Sequence, residues 1–410
     1  MQAFIVVTRG AALCALLAAL VACGGKSLAP YSSASSESKA AAQGYKVVYS
    51  FRGRDGTNPL ASLINVGGTL YGTTSQGGAH NGGTVFSVTP SGSEHVLYSF
   101  KESDAAGYYP GAALLNVNGT FYGTTELGGK TISGAVFSIT PGGHVHVLYS
   151  FGSTGPSGSQ PSASLINVNG ILYSTTSFGG LSNLGTAFSV TTTGGQRTLH
   201  SFGHPYQKDG QIPSAALLEM NGVLYGTTYQ GGLYHRGNSC SGFPCPGDGT
   251  VFRLTSAGKE HVLHSFGNSS DGVNPQASLT NLKGTLYGTT DHGGTSNDGT
   301  IFTVTPDGAE KIVYSFKGKS DGAIPEAAVI EVNGKLYGTT LGAGAFGPYG
   351  TVFTIKPDGS GEEILHSFGS GNDGRAPEAG LVNVDGTLYG TTSSGGAYGK
   401  GTVFALPLPR

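Results

Sequence analysis

The chain has 410 residues, only 11% of them charged, and a formal net charge of −2 at pH 7. A charge this close to zero argues against nucleic acid or an anionic lipid surface as the main partner. Glycine supplies 71 residues and tryptophan is absent. Because the glycines recur at fixed places in a repeat, they indicate turns of a folded chain and not a low-complexity segment.

The first 44 residues are expected to lie outside the folded domain. Arg9 is followed by twelve small apolar residues, "AALCALLAALVA", and then by Cys23. This run is shorter than the roughly 17–25 residues of a membrane-spanning helix, and it is typical of a signal peptide. We predict a signal peptide over residues 1–22 and a flexible Ser/Ala-rich tether over residues 23–44.

The end of the signal segment, Leu20-Val21-Ala22-Cys23, resembles the lipobox of bacterial lipoproteins. The resemblance implies that Cys23 is lipidated, becomes the mature N-terminus and makes the only contact with the membrane. Gly24, in place of Asp, implies the outer membrane of a Gram-negative cell and leaves periplasmic and surface orientations both open. The alternatives are an ordinary signal peptide and an uncleaved anchor.

After the tether, the phrase "LYGTT" or a close variant recurs seven times. Its tyrosines follow one another at intervals of 50 to 62 residues: Tyr71, Tyr122, Tyr173, Tyr225, Tyr287, Tyr337 and Tyr389. A period near 50 residues, without the periodicity of roughly 3.6 residues that marks helices, is typical of a β-propeller.

Four short strands can be distinguished within one period, as in residues 163–202. The first two are joined by Asn169-Gly170, a dipeptide that favours the two-residue turn of a β-hairpin. We therefore predict an all-β fold over residues 45–410, a seven-bladed β-propeller with four antiparallel strands per blade. Because the domain begins with a lone outer strand (45–51) and ends after a third strand, the N-terminal strand is expected to complete the last blade and close the ring.

Two phenylalanines recur in every copy, one in the third strand and one at the end of the outer strand. They account for fourteen of the 19 phenylalanines and are expected to pack between blades. Gly72 and its equivalents are expected to let a neighbouring sheet approach closely, with Ser174 as the one exception. The repeated phrase is therefore interpreted as architecture and not as a catalytic motif.

The pattern "LYGTT..GG....GTVF" runs through residues 45–410 and resembles the GloVer tandem repeat, found in bacterial surface proteins that carry varied anchoring devices. The strand order and the "NG…Y…GG" layout are also distantly similar to kelch blades. The resemblance implies a repeat architecture and an envelope location, and it brings no established activity. Because the chain ends "ALPLPR" without the sorting tail of some relatives, Cys23 is the expected anchor.

Two sets of loops share one face of such a propeller, namely the loops between second and third strands and the connections between blades. We call this the loop face, and binding residues are commonly placed on such loops. The aromatic residues outside the repeat lie in these loops: Tyr108, Tyr109, Phe178, Tyr206, Tyr229, Tyr234, Phe243, Phe346, Tyr349 and Tyr398. Exposed rings suit sugars, peptides or protein surfaces. The alternative is that they merely cover glycine-rich loops.

Acidic residues recur in the same connections, five of them followed by glycine and Asp104 as a looser sixth. The five are Asp55, Asp209, Asp271, Asp321 and Asp373. Aspartate in such turns commonly bonds its own backbone. Calcium, which takes carboxylate and carbonyl oxygens, is the alternative. Since the chain lacks an Asp-x-Asp-x-Asp cluster, we expect neither a metal nor another cofactor.

The residue after the proline of each connection differs between blades and is expected near the mouth of the central channel. These residues are Leu60, Gly111, Ser162, Ser214, Gln276, Glu326 and Glu378. Glu326 and Glu378 are candidates for an acid/base pair, joined by Asp291 and His292 of a neighbouring loop. The alternative is a solvated acidic rim. The sequence shows no Ser-His-Asp order, phosphate-binding loop or metal-ligand spacing.

The insertion "RGNSCSGFPCPGDG" contains Cys240 and Cys245, which we expect to form a disulfide in an oxidising compartment. A zinc site with His235 and Asp248 is the alternative. Taken together, the sequence favours a monomeric, non-catalytic, lipid-anchored scaffold that binds a glycan or an envelope or extracellular protein. The alternative is a propeller enzyme, a polysaccharide lyase or hydrolase that uses Glu326 and Glu378.

Overall fold

The computed structural model describes residues 44–152, 156–203, 209–236, 238–239, 247–268 and 270–408. Several predictions fall outside these residues, namely the signal peptide, nearly all of the tether, lipidation of Cys23, the Cys240–Cys245 disulfide, and the placement of Tyr206 and Phe243. Among the described residues, no helix has the length and apolar character needed to cross a membrane.

Seven four-stranded sheets are formed within the described residues, and each is one blade. The first strands are Ile64–Val66, Leu115–Val117, Ile166–Val168, Leu218–Met220, Thr280–Leu282, Ile330–Val332 and Val382–Val384. The second strands are Thr69–Thr74, Thr120–Thr125, Ile171–Thr176, Val223–Thr228, Thr285–Thr290, Lys335–Thr340 and Thr387–Thr392. The third strands are Thr84–Val88, Ala135–Ile139, Thr186–Thr191, Thr250–Thr255, Thr300–Val304, Thr351–Ile355 and Thr402–Pro407. The outer strands of blades 1 to 6 are Glu94–Ser99, Val145–Ser150, Gln196–Ser201, Glu260–Ser265, Glu310–Ser315 and Glu363–Ser367.

Smaller elements decorate the loops. Short 3₁₀ turns occur at Gly129–Thr131 and Lys319–Asp321, and a small hairpin pairs Tyr234–His235 with Asn238–Ser239. The hairpin turns between first and second strands follow from their sequence, because Asn169 adopts a φ of 52° and Gly170 one of 84°. These elements leave the second and third strands as the buried centre of each blade.

The N-terminal strand Lys46–Ser50 completes blade 7, which confirms the predicted closure. It pairs antiparallel with Thr402–Pro407, so the last blade takes its outer strand from one end of the chain and its other three strands from the opposite end. No edge is therefore left unpaired between the ends of the described chain.

The recurring phenylalanines pack between blades, as predicted. The ring that ends each outer strand meets the third-strand ring of the following blade edge to face, with centroids 4.9–5.2 Å apart. The seven pairs are Phe51–Phe86, Phe100–Phe137, Phe151–Phe188, Phe202–Phe252, Phe266–Phe302, Phe316–Phe353 and Phe368–Phe404. Edge-to-face rings add roughly 0.5–1.5 kcal/mol to the energy of area burial, so each blade interface has the same aromatic core.

The recurring glycine makes room for side chains of its own blade. We expected it to let a neighbouring sheet approach, and that prediction was wrong. A Cβ at Gly72 would lie 2.8 Å from the ring of Phe86 and 2.8 Å from Leu63, both in the same blade. The physical reason is the strand register, which places Gly72 directly opposite Phe86. Ser174 is accommodated, as expected, because its hydroxyl donates to the carbonyls of Ala163 and Ser164.

A ring of interblade hydrogen bonds, which the sequence analysis did not predict, joins each blade to the next. In each second strand, the first threonine after the glycine (after Ser174 in blade 3) donates to an alanine carbonyl of the next blade at 3.0–3.2 Å. The pairs are Thr73–Ala112, Thr124–Ala163, Thr175–Ala215, Thr227–Ala277, Thr289–Ala327, Thr339–Ala379 and Thr391–Ala61. The last pair joins blade 7 to blade 1, so the ring closes at its inner edge as well.

Candidate functional site on the loop face

The loop face is ordered by a second tier of strand pairing. In each blade the incoming connection pairs with the loop between the second and third strands. The paired positions are Thr57–Gln76, Tyr108–Leu127, Ser159–Phe178, Gln211–Gln230, Val273–His292, Ala323–Gly342 and Arg375–Ser394. The backbones of these loops are therefore held in register.

Four large apolar side chains project from this ordered face. Their exposed fractions are 69% for Ile132, 84% for Leu181, 56% for Phe346 and 54% for Tyr398, in blades 2, 3, 6 and 7. We call these four the rim residues, because they lie near the outer strands of their blades. The Leu181 amide, for example, donates to Ser201 Oγ of the outer strand of blade 3 at 3.4 Å. The Arg52 guanidinium lies 5.5 Å from the centre of the Tyr398 ring. The rim thus combines apolar tips with a cation–π pair.

Most of the aromatic residues predicted for binding are half-buried in the structure. This holds for Tyr108, Tyr109, Phe178, Tyr229, Tyr234 and Tyr349. Tyr108 and Tyr109 lie together, with ring centroids 5.2 Å apart. Tyr349 packs against the core of blades 6 and 7 and has the Arg375 guanidinium 4.5 Å above its ring. Part of the surface of these six rings is therefore covered by the protein itself. Among the eight tyrosines and phenylalanines described from the predicted set, Phe346 and Tyr398 are the most exposed.

The channel mouth brings together polar residues that differ from blade to blade. Gln276, after the proline of blade 5, donates from Nε2 to Asp291 Oδ2 at 2.6 Å. Burial, then Asp291 and Glu326, raise the pKa of Tyr229 to about 12. In blade 2, a Cβ at Gly111 would lie 2.6 Å from Glu126 Oε1, so the small residue makes room for that carboxylate.

The sequence analysis did not predict that Tyr229 and Glu126 lie among the channel-mouth residues. The available signal was the position directly after the repeated phrase, which varies from copy to copy. It is occupied by Ser75, Glu126, Ser177, Tyr229, Asp291, Leu341 and Ser393.

The candidate catalytic residues His292, Glu326 and Glu378 come from three neighbouring blades. Glu326 and Glu378 occupy equivalent, half-buried positions in the adjacent blades 6 and 7. His292 belongs to the loop-face pairing with Val273. Burial and the charge of Arg236 lower the pKa of His292, while Asp298 acts in the opposite direction. The charges that shift the pKa of His292 are thus those of the loop residues Arg236 and Asp298.

The aspartates of the connections bind an aromatic side chain of the preceding outer strand. Three accept from the tyrosine hydroxyl of that strand, in the pairs Tyr49–Asp55, Tyr98–Asp104 and Tyr314–Asp321 at 2.5–2.7 Å. Three lie 2.8–3.0 Å from a histidine Nε2, in the pairs His200–Asp209, His264–Asp271 and His366–Asp373. The expected backbone bonds also occur, since the Arg52 amide donates to Asp55 Oδ1 at 2.8 Å.

A glutamate from the next blade faces four of these aspartates. Burial, then the charge of the adjacent aspartate, raises the pKa to about 7 for each of Glu94, Glu260, Glu310 and Glu362. Each blade interface concerned therefore contains an outer-strand tyrosine or histidine, an aspartate and a glutamate. We call these groups the interblade triads. Separately, His235 Nδ1 lies 3.0 Å from Asp248 Oδ1, but the two cysteines of the alternative zinc site lie outside the described residues.

No curated protein matches the sequence. Among solved structures, the chain is similar to virginiamycin B lyase from Staphylococcus aureus, with a TM-score of 0.56 and 14% identity over 89% of this chain and 100% of that chain. A streptogramin B lyase gives the same TM-score, 0.56, and 14% identity over 90% and 100% of the two chains. A puromycin hydrolase S511A mutant gives 0.50 and 11% identity, covering 83% of this chain and 50% of that chain. At such identities the likeness shows the propeller fold alone.

The sequence comparison with protein families is more specific. The model of the Gloeobacter/Verrucomicrobia repeat matches twice in tandem, over residues 34–240 and 241–410. These two matches cover the whole propeller, including the repeated phrase, and the chain therefore belongs to the Gloeobacter/Verrucomicrobia repeat family.

Proposed function

We propose that this protein is a monomeric, non-catalytic scaffold, lipid-anchored at Cys23 in the outer membrane, that binds an extracellular glycan or protein through its loop face. The observation that carries the proposal is the exposure of the four rim residues on one ordered face. Apolar side chains that project from a rigid scaffold mark interaction sites when they group on one surface.

The arrangement of the rim favours an extended partner. Blades 6 and 7 carry Phe346 and Tyr398, blades 2 and 3 carry Ile132 and Leu181, and blade 1 between them presents the exposed His80. The apolar tips therefore follow an arc over five neighbouring blades. Aromatic rings suit both sugars and proteins, whereas the two aliphatic tips favour a protein partner.

A loop-face variant tests this proposal. We expect Phe346→Ala/Tyr398→Ala to weaken binding of the partner at least tenfold, because aromatic anchors dominate binding energy, and to leave the melting temperature nearly unchanged. A glycan and envelope-protein binding screen identifies the partner, and titration of each hit measures the loss. The matched control is Ile171→Ser, because Ile171 is 37% exposed beside a hairpin turn on the opposite face. Equal losses in both variants would contradict a loop-face site.

The second candidate function is a propeller enzyme acting on a polysaccharide. It is favoured by the channel mouth, where the carboxylates of Asp291 and Glu326 act together on Tyr229. Each hit of the binding screen is therefore assayed for turnover as well. Release of product that is abolished by Glu326→Gln would support the enzyme and refute the scaffold, whereas a hit that the variant binds unchanged supports the scaffold.

Lipid anchoring is tested at the cysteine itself. We expect Cys23→Ser to move the protein from the membrane fraction to the soluble fraction, because a protein without its acyl chains retains no hydrophobic anchor of that kind. Cell fractionation with detection of the propeller measures the change. Retention of the variant in the membrane fraction would contradict the assignment.

A further inference from the structure

Two of the interblade triads contain histidine and therefore present three different metal-ligating groups at one point. His200, Asp209 and Glu260 meet between blades 3 and 4, and His264, Asp271 and Glu310 meet between blades 4 and 5. In each triad one ligand atom from every residue lies within 4.8 Å of the other two. Each triad combines one outer strand, the connection after it and the outer strand of the next blade.

Several oxygen atoms of these triads are buried without a hydrogen-bond partner among the described residues. They are Asp209 Oδ1, Glu260 Oε1 and Glu310 Oε1. The equivalent oxygens Glu94 Oε1 and Glu362 Oε1 of the tyrosine triads have no such partner either, so Asp209 Oδ1 is the atom that sets a histidine triad apart. Asp209 is only 3% exposed, so its carboxylate is cut off from bulk water. Leaving such an acceptor unsatisfied is unfavourable, and a bound cation is the kind of group that would satisfy Asp209 and Glu260 at once.

The triad between blades 4 and 5 is also accessible. An open cleft of about 600 Å³ is lined by His264, Asp271 and Glu310, with Tyr234 and Asn268 beside them. A hydrated ion can therefore reach this triad along the cleft without displacement of a blade.

The other blade interfaces provide an internal comparison. Between blades 5 and 6 the position of histidine is taken by Tyr314, whose neutral hydroxyl donates to Asp321 at 2.7 Å and offers no ligating nitrogen. Between blades 6 and 7 a histidine is present, but the place of glutamate is taken by Tyr45, which stacks on His366 with ring centroids 3.7 Å apart. The scaffold thus forms the same interface with and without a complete His-Asp-Glu set.

We propose that the two His-Asp-Glu triads are binding sites for a divalent transition metal ion, with zinc as the ion that fits best. Zinc accepts imidazole nitrogen and carboxylate oxygen, and three protein ligands leave a fourth position for water. Calcium takes six to eight oxygen ligands, and one of the three groups in each triad is an imidazole. A metal bound there would join the outer strands of blades 3, 4 and 5.

Zinc stoichiometry tests the proposal directly. The mature chain with Cys240→Ser/Cys245→Ser, which removes the thiols from the count, is stripped with a chelator and titrated with Zn²⁺ alone. We expect two equivalents to bind, one after His264→Tyr, and none after His200→Tyr/His264→Tyr. These variants are expected to fold, because tyrosine is the residue that blades 1, 2, 5 and 7 already carry at this position.

A gain-of-site variant makes the test independent of any loss of structure. Tyr314→His places an imidazole beside Asp321 and Glu362, so we expect three equivalents of zinc instead of two. Zinc is also expected to raise the melting temperature of the parent chain and not that of the double tyrosine variant. The proposal is overturned if the parent chain binds no stoichiometric zinc, or if the double tyrosine variant still binds two equivalents.

Discussion

Deletion of residues 45–51 is expected to abolish cooperative folding of the propeller near physiological temperature. The deleted strand supplies the whole outer edge of blade 7, including its ladder with Thr402–Pro407. It also supplies Phe51, which is fully buried against Phe86 of blade 1. Loss of one buried phenylalanine costs about 3–5 kcal/mol, and the ladder adds to this, so the sum approaches the roughly 5–15 kcal/mol by which a typical domain is stable.

Thermal unfolding followed by circular dichroism measures the effect. The control truncation begins at Gly44 and keeps the strand. A second pair of variants compares the closing interface with an internal one: Phe51→Ala and Phe100→Ala remove equivalent rings that pack on Phe86 and Phe137. We expect the two to lower the stability equally. If the chain lacking 45–51 melts like the control, ring closure by the N-terminal strand is wrong.

The fold could be predicted because its determinants repeat. A turn such as Asn169-Gly170 requires left-handed backbone wherever it occurs. Seven copies of one four-strand pattern are compatible with few folds other than a seven-bladed propeller. Closure of the ring by the N-terminal strand could be predicted by counting strands, since the repeats start with an outer strand and end with a third strand. Within the fold, the prediction for Gly72 was wrong, because the repeat period alone does not show which side chain lies opposite a glycine.

The candidate sites could be predicted less well because they are formed between repeats. Asp271 and Glu310 are 39 residues apart and belong to different blades, so no local spacing indicates that they meet. For the aromatic loop residues, the location could be predicted but the exposure could not. Their sequence positions placed them in loops of one face, but pairing of the loop backbones draws rings such as Tyr108 inward, and that pairing has no signature in side-chain type.

Some interblade triads of the tyrosine type are expected to make folding less favourable as the pH rises from about 5 to 7. Burial, followed by the charge of Asp55 or Asp321, raises the pKa of Glu94 and of Glu362 from 4.5 to about 7. A carboxyl whose pKa is higher in the folded chain binds protons more tightly there. Its stabilising contribution is therefore complete below the unfolded pKa of 4.5 and is lost as the pH passes through about 7.

The double variant Glu94→Gln/Glu362→Gln tests this sign. Glutamine keeps the shape of the protonated carboxyl and stays neutral, so the melting temperature of the variant is expected to fall less than that of the parent between pH 5 and 8. At pH 8 the variant is expected to melt a few degrees higher. Both proteins are measured with a chelator present, so that the histidine triads contribute alike. Glu363→Gln, which changes the exposed neighbour of Glu362, is the control and should follow the parent. A double variant that loses stability with pH as steeply as the parent would show that these two glutamates are already ionised in the folded chain at pH 5.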